Sequence, residues 1–421
     1  MYKKRGLDKM FKKLENESKV QLVYYLIIAF TALGLGLSND VISNYFKDAY
    51  NITAYQRGLI EFPRELPGVL VIFIVASLSL FSDIRIAMVA QLLSIIGIVT
   101  LGFFTPPFTI MLIFIFINSL GMHMFMPIKD SIGMSLIKDE DNVGKKVGQY
   151  KGLATIFTVL ASILVFIGFR VGFFSFTSNI KWIFIISACI LGVVFILFFA
   201  LEKLIGQPIK SNKKINFVFR KEYKYYYILV VMWGVQKQIM IVYGPWVLID
   251  LLNKRADTLA VLSIIGSFVG VFFIPAVGRW IDKFGIKKLL YADALSFIFV
   301  YLVYGLLSAG FSTGKLATVG IPLFLAYMVL IFDRMSTQMG MIRTIYLRSI
   351  AVKPSDITPT LSLGLSLDHI VSIICAYLGG IIWSLWGPQY IFFLAASLSL
   401  VNLYVAGKVK DDKMVKLRNG I

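Results

Sequence analysis

The chain reads as an all-α polytopic membrane protein, with twelve transmembrane helices in two pseudo-symmetric six-helix bundles. Three observations lead there. Hydrophobic residues make up 58% of the 421 and charged residues only 15%, against about 45–50% and about 25% in a soluble domain. The apolar residues fall in continuous runs of about 20 or more, enough to cross a hydrocarbon core about 30 Å thick. The longest polar interval divides those runs six and six.

In chain order the runs fall at 20–46, 57–81, 86–105, 108–137, 148–170, 182–201, 225–250, 258–278, 288–309, 317–346, 358–385 and 389–407. Continuous runs mean helices, because a membrane strand alternates with period two and no other spanning structure pairs its own backbone. The first run exceeds a signal-peptide core and lacks a small-residue cleavage site, so it is expected to stay as a helix. Pro63 and Pro67 loosen the second. The third and fourth are parted only by Thr105, Pro106 and Pro107, which predicts a tight hairpin. The predicted organisation is a tail at 1–19, a bundle at 20–201, a middle loop at 202–224, a second bundle at 225–407 and a tail at 408–421, in a monomer.

The net charge of +19, from 42 basic and 23 acidic residues, would suggest a nucleic-acid partner in a soluble protein. Placement decides otherwise. The basic residues concentrate in the two tails, the even-numbered loops and the middle loop, with about thirty on one side and about seven on the other, as the positive-inside rule requires. Both termini are therefore expected in the cytoplasm, in a plasma or inner membrane, with the surplus charge facing anionic lipid and no nucleic acid. Cys189 and Cys375 lie within spans and are expected to be buried thiols. Asn51-Ile-Thr53 has the form of a glycosylation sequon in the first outside loop.

After the eighth span stands Gly278-Arg-Trp-Ile-Asp282-Lys-Phe-Gly285-Ile-Lys287-Lys288, a G-x-x-x-D-x-x-G-x-K-K loop. At the matching place in the first half, Asp83-Ile-Arg85 keeps an acid and a base without the glycines. On these residues the chain resembles the major facilitator superfamily of secondary transporters, whose inter-helix signature is this loop. The resemblance extends over the twelve spans, the basic middle loop, and Gly379-Gly380 with Gly387 and Phe392 in the last two spans. It implies that Asp282 latches one access state, with Gly278 and Gly285 allowing close helix approach and a tight turn, and Lys287 and Lys288 holding the orientation. It also implies that spans 1, 4, 7 and 10 line a central cavity. No subfamily is indicated: Ile117 stands where drug exporters of the superfamily carry an arginine, and the antiporter and sugar-porter signatures are missing.

Ionisable residues inside spans cost at least about 2.5–3.5 kcal/mol each, so they mark cavities or partners. The candidates for solute or coupling contact are Asp40 in span 1, Glu61, Arg64 and Glu65 in span 2, and His123, Lys129 and Asp130 in span 4. Lys237 in span 7, Asp333, Arg334 and Arg343 in span 10, and Asp368 and His369 in span 11 complete them. Arg57, Glu61 and Arg64 share one helix face, as either a salt-bridge ladder or a gate in which Glu61 and Glu65 repel. Lys237 has no carboxylate within a turn and needs one from another helix, Asp333 or Asp368, or a substrate anion. His123 with Asp130, and His369 with Asp368, are proton-relay candidates. The C-terminal half leans positive, a hint of an anionic or zwitterionic solute.

No metal-ligand spacing, nucleophile elbow or phosphate-cradling loop occurs, so no cofactor, no metal and no enzyme is expected. The expected function is proton-coupled transport of a small organic solute by alternating access. The alternatives are an uncoupled facilitator or a drug or metabolite exporter of the same fold, and, from another class, a membrane-embedded lipid-handling protein or enzyme.

Overall fold

A computed structural model describes residues 2–39, 41–78, 80–137, 143–210 and 218–409, with side chains from Ser18 onward and, in the fourth stretch, from Lys145. Asp40 and residues 410–421 of the C-terminal tail lie outside the described residues. The helices are α1 (Tyr2–Asn39), α2 (Ile42–Tyr50), α3 (Ala54–Ser77), α4 (Asp83–Phe103), α5 (Phe108–Ser135), α6 (Val143–Arg170) and α7 (Trp182–Ile205). There follow α8 (Lys224–Trp246), α9 (Ala256–Phe284), α10 (Ile286–Ser312), α11 (Ile321–Gln338), α12 (Met341–Ile350), α13 (Ile357–Leu385) and α14 (Pro388–Lys408). Among the described residues ten helical segments are long and apolar enough to cross a membrane. The other two expected spans are α3, which carries Arg57, Glu61, Arg64 and Glu65, and the α11–α12 pair, interrupted at Met339 and Gly340.

By compactness the chain forms two units. One is Met1–Ile42 with Leu70–Ile215, and the other is Ser43–Val69 with Asn216–Ile421. The sequence divides at the middle loop, but the N-terminal two-thirds of α3 groups with the C-terminal helices. The changeover at Val69 and Leu70 follows directly on Pro63 and Pro67, where the ring of proline removes a helix hydrogen bond and lets the axis bend.

In the first unit α4 packs on α5 and α7, and α1 on α6 and α7. Glycines set the closeness of approach. A Cβ on Gly97 would come within 2.6 Å of Asn118 Cβ, and one on Gly36 within 2.6 Å of Ala161 Cβ. The core between these helices is apolar, with Tyr24, Ile28, Ala87, Phe125, Ile128 and Phe198 buried together. Pro107 precedes α5, so the expected hairpin after α4 is present. Beside it Lys181 caps α7: its backbone N–H donates to Gly102 O at 2.8 Å and its ammonium to Thr105 Oγ1. Burial pushes that ammonium below the usual lysine range.

In the second unit α8 packs on α13 and α14, α10 on α14 and α11, and α9 on α11. A buried polar seam holds α8 in place. Gln236 Nε2 donates to Ser399 Oγ at 2.6 Å, Asn402 Nδ2 to Gln236 Oε1 at 3.2 Å, and Tyr301 Oη to Gln236 O at 2.6 Å. Tyr304 Oη donates to Gly244 O at 2.7 Å, next to Pro245, where α8 gives way to a π-helical turn at Val247–Leu251. Trp246 is fully buried, so the Gly-Pro-Trp sequence is structural.

Three expectations need correction. Cys189 is exposed and Cys375 half-buried, because apolar side chains facing hydrocarbon have no need of protein cover. Gly278 has open space where its side chain would be, so it makes no close approach, whereas Gly285 adopts φ +82° and does provide the turn. Asp282 is exposed and takes no partner among the described residues.

Two glycines of the second unit separate cleanly by surroundings. A Cβ on Gly58 would collide with Ala376 O and lie 2.6 Å from Tyr243 Oη. Gly58→Ala is therefore expected to cost about 1–3 kcal/mol, while Gly278→Ala is neutral or adds up to about 1 kcal/mol of helix propensity; thermal unfolding midpoints of the two variants check this contrast.

Candidate functional site

The buried charges gather in the second unit. Glu61 is fully buried, and its Oε1 accepts from Arg57 Nη1 and from Arg64 Nη1, each at 2.5 Å. Gln238 Nε2 of α8 donates to the other oxygen at 3.0 Å. Arg57 also donates to Ser43 Oγ at 3.3 Å. The i, i+4 and i, i+3 spacings bring the three charges to one helix face. The result is the ladder rather than a like-charged Glu61 and Glu65 pair, since Glu65 turns to His369, whose Nδ1 lies 2.7 Å from Glu65 Oε2. A side chain at Gly68 would press into the same imidazole, a Cβ coming within 2.5 Å of it. His369 thus meets Glu65 and not its sequence neighbour Asp368.

Lys237 pairs with Asp368 across α8 and α13. Of the two carboxylates the sequence offered, α13 supplies the partner, and Asp333 does not. Arg343 of α12 donates from Nη2 to Asp293 Oδ2 of α10 at 2.7 Å, with both groups buried. Asp293 is not among the sequence candidates; the buried arginine fifty residues on is what it answers.

Asp333 stands apart. It is buried, its Oδ1 has no partner, and among the described residues its carboxylate forms no ion pair and no hydrogen bond. Its neighbour Arg334 points away, exposed, reaching Ser263 Oγ at 3.4 Å. The step of about 100° per residue accounts for that separation.

The first unit places its candidates differently. His123 Nδ1 lies 2.9 Å from Ser119 O and 3.1 Å from Ser119 Oγ on its own helix. Asp130 is exposed, 3.6 Å from the half-exposed Lys129. His123 and Asp130 are therefore not brought together. Asp83, which the sequence rated as a degenerate copy, is buried: its carboxylate accepts from Ser131 Oγ at 2.9 Å and its N–H donates to Ile209 O at 2.8 Å. Arg85 Nε donates to Glu202 Oε1 at 2.8 Å. The glycine-free loop is thus the one whose acid is engaged.

Sequence reasoning placed Arg57 in the ladder with Glu61 but missed the roles of Trp233 and Gln238. Each lies one helical turn or one residue from a named charge, a spacing that could have found them. The lone acid between two arginines also sets a large energetic contrast. Glu61→Gln leaves Arg57 buried without its anion and is expected to cost about 3–5 kcal/mol, whereas Lys47→Gln opens the half-exposed 2.6 Å pair with Asp250 for about 0–1 kcal/mol; unfolding midpoints measure both.

Comparison with known proteins accords with this geometry. The model of the Major Facilitator Superfamily matches residues 24–354. No curated protein sequence matches the chain. Among solved structures, a mutant of the nucleoside transporter NupG is similar at a TM-score of 0.75 and 13% identity, over 92% of this chain and 99% of that one. A bacterial homologue of the iron transporter ferroportin, in an inward-facing state, is similar at 0.70 and 12%, over 93% and 98%. A D-xylose-proton symporter is similar at 0.66 and 13%, over 94% and 98%. At these identities the structures speak for the fold, and the family match spans most of the sequence: the chain belongs to the Major Facilitator Superfamily and is a transporter rather than an enzyme.

Proposed function

We propose that the chain is a secondary active transporter that couples the movement of a small organic solute to protons by alternating access. The observation that carries the coupling is Asp333, a buried carboxylate with no ion-pair or hydrogen-bond partner among the described residues. A charge held in that setting is costly unless it is paired or neutralised. Asp333 is accordingly assigned as the proton carrier: it holds a proton when shut away from water and releases it when its cavity opens.

The other buried acids are suited to different tasks. Glu61 is neutralised by Arg57 and Arg64 and braces the helix, so two adjacent cations oppose its taking a proton. Glu65 with His369 is a second candidate pair for proton exchange, the carboxylate lying 2.7 Å from the imidazole Nδ1. The positive-inside pattern supports a cell-membrane location with both termini in the cytoplasm, and the chain is taken to act as a monomer. The D-xylose-proton symporter among the similar structures supports proton coupling in this fold.

The test runs in proteoliposomes, with solutes first found by thermal stabilisation of the purified protein at two pH values. An imposed pH gradient is expected to drive net flux of the solute. Asp333→Asn is expected to abolish the response to the gradient by tenfold or more, on the order of the loss of one coupling group, while solute-for-solute exchange continues. Flux that ignores the gradient, and is unchanged in Asp333→Asn and Asp368→Asn, identifies an uncoupled facilitator instead.

A further inference from the structure

The second unit holds another polar cluster, which involves neither Asp333 nor Glu61. Trp233 stands on α8 one turn before Lys237, and Lys237 Nζ lies 5.0 Å from the centre of the indole ring. The Arg343 guanidinium, carried by α12, lies 5.5 Å from the same ring. Two cations from two helices thus share one aromatic side chain, which is itself only half-buried. A Cβ on Gly340 would lie 3.2 Å from Trp233 Nε1. The interruption between α11 and α12 therefore puts a residue without a side chain where the indole needs room.

Each cation holds one carboxylate, Lys237 that of Asp368 and Arg343 that of Asp293. These bonds leave much unmade. Arg343 is 4% exposed, yet among the described residues its Nε and Nη1 have no partner, and neither does Trp233 Nε1. Asp293 Oδ1 and Asp368 Oδ1 are also unpaired. Arginine–carboxylate pairs are frequently bidentate; this one engages Asp293 with a single bond and keeps most of its N–H groups unspent in a buried place, where an unmade hydrogen bond is costly.

We propose that Trp233, Lys237 and Arg343 form a subsite for a carboxylate group of the transported solute, so that the substrate class is a small organic anion. The unsatisfied groups are mostly N–H donors, which call for an acceptor. A carboxylate matches the planar guanidinium better than a hydroxyl does, and the exposed part of the indole offers a surface for the solute's apolar portion. A cationic solute would meet two fixed cations on the ring it would otherwise occupy. The assignment rests on the chain's being a solute transporter, and it names what that transporter takes.

The experiment uses the full chain, purified in detergent, with acetate, lactate, succinate, benzoate and citrate each at about 10 mM, against xylose, uridine, choline and inorganic phosphate. At least one carboxylate is expected to raise the unfolding midpoint by about 3 °C or more and to change tryptophan fluorescence, the latter change shrinking in Trp233→Phe. Arg343→Lys, which keeps the charge and loses the planar fork, is expected to weaken that carboxylate about tenfold or more. Lys237→Gln combined with Asp368→Asn removes both charges of one pair together, so it leaves no buried lone charge, and is expected to weaken binding similarly. If Arg343→Lys does not fold, the double variant decides.

The proposal is overturned if none of the carboxylates stabilises the protein, if only a neutral, cationic or phosphate probe does, or if carboxylate binding is unaltered in the folded variants. Proton-driven flux of a neutral solute overturns this subsite and leaves the coupling intact. Carboxylate binding with flux indifferent to pH does the reverse.

Discussion

A carboxylate taken out of water has to be answered within a few ångströms, and Glu61 shows how much structure that demand organises. Two arginines on its own helix and a glutamine on α8 converge on it. Three of the four groups come from one segment of eight residues, so the network is preassembled by helix geometry. Only Gln238 has to be brought from elsewhere, and it is brought by the packing of α8. The polar seam through Gln236 fixes α8 in turn, from the opposite side of the same stretch. Neighbouring residues of one helix thus serve two buried networks. The step of about 100° per residue makes that possible.

Close packing supplies the second constraint. Hydrocarbon gives helices little incentive to associate beyond van der Waals contact, so small residues at contacts carry much of the stability. Gly58, Gly379 and Gly380 let α3, α8 and α13 approach until backbone oxygens and the Tyr243 ring meet the glycine Cα atoms. The prolines of α3 sit beside these contacts, at the place where the helix passes from one compact unit to the other. Rigid small-residue docking on one side and a weakened hydrogen-bond ladder on the other make this helix the natural place for bending.

Much of the fold was legible in the sequence. The apolar runs, the Thr-Pro-Pro hairpin and the separation of Asp333 from Arg334 follow from rules local to one helix, and the structure has all three. The candidate site was legible as a roster of residues and much less as a set of partnerships. Lys237 had two possible acids, and the choice of Asp368 depends on α13 lying against α8. His369 was read with its neighbour Asp368, but adjacent helical residues point about 100° apart, and the imidazole meets Glu65 instead. Asp83 stands in a loop that lacks the glycines of the signature; what engages it is a serine forty-eight residues on.

The sequence by itself determined the class of solvent, the apolar helical spans and the identity of the charges that had to be explained, because hydrophobic transfer and helix periodicity act over a few residues. Tertiary structure alone decided which charge answers which, that Asp333 makes no ion pair among the described residues, and that Lys237 and Arg343 both approach the Trp233 ring. Those outcomes depend on Coulomb and hydrogen-bond contacts effective over a few ångströms, between residues as much as 304 positions apart, and no local pattern records them.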